Sequence, residues 1–123
     1  MSLPANRFVV TLTCSHDNHD RATVAFVVAN AALGSDRDTV VFLSVEGVRL
    51  AVQGEAERIH ETGFAPLADL MRQFTQGGGK ILVCSPCFKK RALDEAKLIE
   101  GSVVAGGAKL VEFMAGGVSS VGY

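Results

Sequence analysis

The segment Lys80-Ile81-Leu82-Val83-Cys84-Ser85-Pro86-Cys87-Phe88-Lys89-Lys90-Arg91 changes its pattern at a single residue. Ile81, Leu82 and Val83 form a short apolar run without polar alternation, as in a strand covered on both faces. Beyond Cys84, Ser85 is placed to cap helical amides and Pro86 suits the first helical position. Cys84 therefore marks the end of a strand and the start of a helix, and Cys87 follows three positions on.

Towards the N-terminus, Gly77-Gly78-Gly79 ends a helix that opens at Pro66 and repeats Leu67, Leu70, Met71 and Phe74 at helical spacing. With Lys80 these glycines suggest a phosphate loop, but a phosphate cradle joins a strand to the helix after it, which is the reverse order. They are a helix stop. Residues 53–65 are polar, carry Gly54 and Gly63 and show no sustained period, so a long surface loop or lid is expected. Residues 46–52 read either as a short helix, with Val48, Leu50 and Ala51 on one face, or as extended chain. A buried strand is expected over 39–45, another over 8–13, and an alanine-rich buried helix over 20–33, stopped at Gly34.

Downstream, 93–99 is predicted to be helical, Ser102 to Ala105 a fourth strand, Leu110, Val111, Phe113 and Met114 a final helix, and 118–123 a closing strand. This alternation predicts a single α/β domain over 1–123 with a mostly parallel sheet and helices on both faces.

The 123 residues, 48% apolar and 20% charged, have the make-up of one globular domain. Twelve basic residues against thirteen acidic ones lack the electrostatic footprint of a DNA-binding domain, so nucleic acid is not an expected partner. The apolar run 22–33 is broken by Asn30 and is shorter than the roughly 20 residues that cross a bilayer. Met1 to Asn6 carry no basic leader, which predicts a cytoplasmic protein away from membranes. Three cysteines cannot all pair within one chain, and a domain this apolar needs no disulfide staples, so their interest is chemical.

In parallel sheets of this kind, ligands meet the loops beyond the carboxyl ends of the strands. Cys14 and Cys84 both fall there. At Cys84 the start of a helix and the basic run Lys89, Lys90 and Arg91 favour thiolate over thiol, the form that attacks or carries sulfur. Cys87 is placed to resolve a disulfide formed at Cys84. The plainer alternative is two half-buried thiols packing a strand–helix junction. His16, Asp17, His19 and Asp20, in the first strand-to-helix loop, offer with Cys84 and Cys87 a donor set that zinc accepts. Capping of the helix near Asp20 is the simpler role for Asp17 or Asn18. No metal and no cofactor is assigned. Arg49, just beyond the second strand, is a candidate anion ligand or a solvated arginine, and His60 is expected to be an exposed loop residue.

These positions together resemble the DsrE-like family of small sulfur-relay proteins, whose DsrE and TusD members carry sulfur. The resemblance runs through Asp20-Arg21-Ala22-Thr23 to Ala32, then Val41-Phe42-Leu43 leading to Glu46-Gly47-Val48-Arg49-Leu50-Ala51, and Ile81-Leu82-Val83-Cys84 before a basic helix. It implies a three-layer α/β/α domain of flavodoxin or Rossmann type, with a parallel sheet of about five strands. It also implies assembly into trimers or hexamers and a persulfide at Cys84 that arrives from a donor protein and leaves to an acceptor. Two features depart from the TusD-type pattern. The first loop holds Cys14, two histidines and two aspartates, and Cys87 adds a second thiol.

Three functions are open at this point. In the leading one Cys84 accepts a sulfane sulfur, Lys89, Lys90 and Arg91 maintain the anion, and Cys87 releases the sulfur. In the second, Cys84 and Cys87 are the attacking and resolving thiols of a thiol–disulfide oxidoreductase. In the third, the chain is an oligomeric module without catalysis, and its loops, including Cys14, His16 and Arg49, bind a small ligand or metal.

Overall fold

The computed structural model describes residues 6–123, so the leader reading at Met1 to Ala5 lies outside the described residues. Five strands, β1 (Arg7–Leu12), β2 (Asp38–Leu43), β3 (Lys80–Cys84), β4 (Ser102–Ala105) and β5 (Ser119–Gly122), form one sheet in the order β4-β3-β2-β1-β5. Every neighbouring pair is parallel. Helices α1 (His19–Gly34), α2 (Leu67–Gln76), α3 (Ser85–Lys90) and α4 (Gly107–Phe113) complete the three layers.

The residues explain the layers. Val10, Leu12, Val41, Leu43, Ile81 and Val83 alternate onto one face of the sheet and meet Ala25, Phe26 and Ala29 of α1, Met71 and Phe74 of α2 and Phe88 of α3. Small alanines let α1 lie close to the sheet, and Phe26 meets Phe74 edge to face with centroids 5.8 Å apart. Each of these fully buried phenylalanines contributes roughly 1.5–3 kcal/mol by leaving water. The opposite face presents Val40, Phe42 and Leu82 to Leu110 and Phe113 of α4. Asn18 caps α1 by accepting from the Arg21 N–H at 3.0 Å, as one of the two capping alternatives anticipates.

This layering locates a divergence of loops. The chain leaves β3 through α3 on the first face and leaves β4 through α4 on the second, so the loops diverge between two adjacent strands. That divergence is where doubly wound sheets bind ligands. Cys84 ends β3 there, paired in register with Ala105 of β4, and touches both apolar clusters.

Four local expectations change or resolve. Residues 45–51 form a 3-10 helix, Val45–Ala51, burying Val48, Leu50 and Ala51, which selects the helical alternative. The segment after Gln53 is not simply a surface loop or lid: it turns through a 3-10 helix at Ala56–Arg58, and Ala56 and Ile59 enter the core. Over 93–99 there is only the single 3-10 turn Glu95–Lys97, because the flanking backbone is spent elsewhere. The Ile99 N–H donates to the Ala51 carbonyl at 2.8 Å, the Gln53 N–H donates to the Lys97 carbonyl at 2.8 Å, and Leu98 bridges Val52. Finally, Ser85 does not cap α3. It is the first helical residue, Cys84 takes the cap position, and no side chain bonds the free amides.

Candidate functional site

Cys84 and Cys87 are both free and half-buried, one turn apart where β3 runs into α3. The two thiols influence each other's ionisation. Burial pushes the Cys84 thiol above its ordinary value; the Cys87 N–H opposes this, and the neighbouring Cys87 sulfur adds to it. Burial also acts to raise Cys87, but there the opposing contributions win. The Val45 N–H, the Cys84 thiol and the charges of Arg91 and Lys90 hold it below the ordinary thiol value.

The basic run contributes unequally. Lys89 and Lys90 are exposed, and Lys90 acts on Cys87 only through its charge. Arg91 turns inward, its side chain only 12% exposed, donating from Nε to Glu46 Oε2 at 2.6 Å and from Nη1 to the Cys87 carbonyl at 3.2 Å. The other Glu46 oxygen accepts from Arg49 Nε at 2.8 Å. Arg91 first, then Arg49, hold the Glu46 carboxyl below the ordinary carboxylate range. Arg49, an anion-ligand candidate by sequence, thus has its Nε committed to Glu46.

The segment carrying Glu46 is tightly fitted. The Ser44 N–H donates to the Leu12 carbonyl at 3.0 Å, and a Cβ at Gly47 would collide with that same carbonyl oxygen. Val45 has φ 54°, in the left-handed region that β-branched residues avoid.

The first loop is organised separately. Cys14 is buried at the end of β1, with the end of β2 between it and Cys84, and its sulfur lies 3.7 Å from Thr13 Oγ1. His16 Nε2 lies 2.8 Å from Glu55 Oε1, and the Asp17 carboxylate accepts from the Ser15 N–H. Among the described residues, no three His, Cys, Asp or Glu side chains gather as a metal site. The zinc donor set considered from sequence is therefore not assembled. His60 is exposed, within 2.9 Å of the Phe64 carbonyl oxygen. Sequence reasoning missed the roles of Glu46 and Val45. Only the Glu46–Arg49 spacing hinted at a pair, because Arg91 comes from 45 residues away.

A three-layer α/β domain with an all-parallel five-stranded sheet and a dithiol at its loop divergence defines a class of small cysteine-bearing α/β proteins. Within it, the chain belongs to the DsrE/DsrF-like family, whose model matches residues 6–120. It is 31% identical over 107 residues to the uncharacterized protein MJ0760 of Methanocaldococcus jannaschii, covering 87% of this chain but only 38% of that relative's length. It is 29% identical to the uncharacterized protein MK0008 of Methanopyrus kandleri, covering 85% of each. Among solved structures, the ychN protein from E. coli superposes with TM-score 0.80 at 14% identity, covering 95% of this chain and 98% of that one. MTH1491 from Methanobacterium thermoautotrophicum gives 0.65 at 18% identity, covering 95% and 99%. These structural likenesses bear on the fold. The described residues include no helix long and apolar enough to cross a membrane.

Proposed function

We propose that this protein is a sulfur carrier in which Cys84 takes up a sulfane sulfur as a persulfide while Cys87 manages the proton. The observation that carries this reading is the pair of free, half-buried thiols one turn apart where β3 runs into α3, with Cys87 the more acidic of the two. Starting from Cys84–SH and Cys87–S⁻, the Cys84 sulfur attacks the outer sulfur of a donor persulfide R–S–SH as its own proton passes to Cys87. The donor S–S bond breaks, giving Cys84–S–SH, Cys87–SH and R–S⁻. An acceptor thiolate then takes the outer sulfur, and the Cys84 thiolate left behind regains its proton from Cys87. No net oxidation occurs, so sulfur moves without a redox cofactor.

A second reading, a thiol–disulfide oxidoreductase, follows from the same acidity of Cys87. If the Cys87 thiolate attacks the inner sulfur of the persulfide, the products are a Cys84–Cys87 disulfide and hydrosulfide. Incubation with a small-molecule persulfide and intact mass spectrometry test the proposal. Wild type and Cys87→Ser should each gain sulfur, the variant more slowly, and Cys84→Ser should gain none. Loading that survives Cys84→Ser removes the carrier role from that residue, and loading abolished by Cys87→Ser favours the dithiol redox reading.

The proposal extends to donor and acceptor proteins, a reducing cytoplasmic setting that keeps the thiols free, and a homo-oligomer of three or six chains. The exposed Val103 on β4 and Val111 on α4, 57% and 69% accessible, support assembly. Sedimentation of a monomer alone at working concentration contradicts that part.

A further inference from the structure

We propose that the cavity beside α2, at the amino ends of β3 and β4, binds a small organic amine, with an apolar body seated on the cavity floor and a cationic nitrogen held by two carboxylates at the rim. This goes beyond the sulfur-carrier reading and does not depend on the thiols.

The cavity measures about 530 Å³, within the range of pockets that hold small molecules. Buried Ala56 and Met71, with half-buried Ala68 and Ile99, give it an apolar floor. Backbone bonds fix its walls. The Ile99 N–H donates to the Ala51 carbonyl at 2.8 Å, the Ser102 hydroxyl to the Ile99 carbonyl at 2.7 Å, and the Ile81 N–H to the Gly101 carbonyl at 3.2 Å. Gly101 has φ 88°, and a Cβ there would lie 2.7 Å from Thr75 Cγ2, so this wall closes on α2 only because residue 101 has no side chain. A preformed site of this kind loses little binding free energy to ordering.

The bond from Ile81 also sets the location. Ile81 lies near the start of β3 and Cys84 ends it, roughly 10 Å further along the strand. None of Glu46, Cys84, Cys87 and Arg91 lines the cavity.

The charged residues of the lining are Glu57, Arg72 and Glu100. Arg72 donates from Nη2 to Asp69 Oδ1 at 3.0 Å on its own helix, which answers its charge. Glu57 and Glu100 are exposed and have no hydrogen bond or ion pair among the described residues. Two unanswered carboxylates over an apolar floor select a ligand that is cationic at one end and apolar at the other, and they repel anions. At the rim a bound ammonium keeps part of its water, so it avoids the desolvation cost of a buried ion pair.

The test uses tryptamine, whose indole fluorescence is unobscured because the chain contains no tryptophan. Its anisotropy should rise on titration with the full chain. Tryptophol, with the same body and a neutral hydroxyl, should bind more weakly, and indole-3-propionate more weakly still. Glu57→Gln and Glu100→Gln should each weaken tryptamine about two- to fivefold, the range for exposed ion pairs, and leave tryptophol unchanged. Both positions are on the surface, so Tm should stay the same and the loss reads binding alone. Glu112→Gln, at an exposed acid on α4, should alter neither ligand. In amide correlation spectra, tryptamine should shift residues 56–57, 68–76 and 99–101 and leave Cys84 and Cys87 unmoved. Affinity that ignores ligand charge, shifts gathered elsewhere, or no binding of tryptamine at millimolar concentration overturns the proposal. Any of these results leaves persulfide formation at Cys84 to its own test.

Discussion

Arg91 performs two tasks with one guanidinium, binding Glu46 across the site and reaching the Cys87 carbonyl on its own helix. Its 12% exposure makes this more than a surface ion pair, because the charge has little water to fall back on. Arg91→Met should therefore cost about 1.5–3 kcal/mol in denaturant unfolding, the range for hydrogen bonds to charged groups. It should also shift the Cys87 alkylation profile to higher pH. The thiols themselves give an order of reaction. Peptide mapping after brief iodoacetamide treatment at neutral pH should find Cys87 labelled before Cys84, since the lowered thiol exposes more thiolate. Equal or reversed labelling contradicts the assignment of charge within the pair.

The 3-10 helix Val45–Ala51 ties β1, β2 and α3 together, and it has the least slack at Gly47. Gly47→Ala forces a methyl group onto the Leu12 carbonyl and should destabilise the protein by about 1–3 kcal/mol, measured as a lowered urea midpoint. The elements differ in how openly their sequences announce them. Val40, Val41, Phe42 and Leu43, or Ile81, Leu82 and Val83, advertise buried strands because composition and burial coincide, and Leu67, Leu70, Met71 and Phe74 mark α2 by their spacing. The placement of Cys84 at a strand end was legible for the same reason. The 3-10 turns were not, since a three-residue turn is too short to show a period and is fixed by long-range backbone bonds such as Ile99 to Ala51. Nor could local spacing reveal the Arg91–Glu46 and His16–Glu55 pairs, whose partners lie 45 and 39 residues apart. Val45 runs against its own preference, because a β-branched residue in the left-handed region is what propensity argues against.

Across the whole molecule, the sheet order places the divergence of α3 and α4 between β3 and β4, so the fold and the dithiol point to one end of the sheet. The same site links stability to pH. The Glu46 carboxyl is more acidic when folded than its ordinary value of 4.5, so the stability it contributes is present above that pH and is lost as the pH falls below it. Wild type should unfold at higher urea than Glu46→Gln at pH 7, and the gap should narrow as the solution is acidified below pH 4.5. A gap that stays constant on acidification contradicts the ion-pair assignment. The decisive measurement is peptide mass spectrometry on protein exposed to a persulfide donor and trapped with an alkylating agent. One additional sulfur on the peptide at Cys84, transferable to an added thiol, is the expected result. An unmodified Cys84 after every donor, with the protein folded and both thiols reduced, contradicts sulfur carriage.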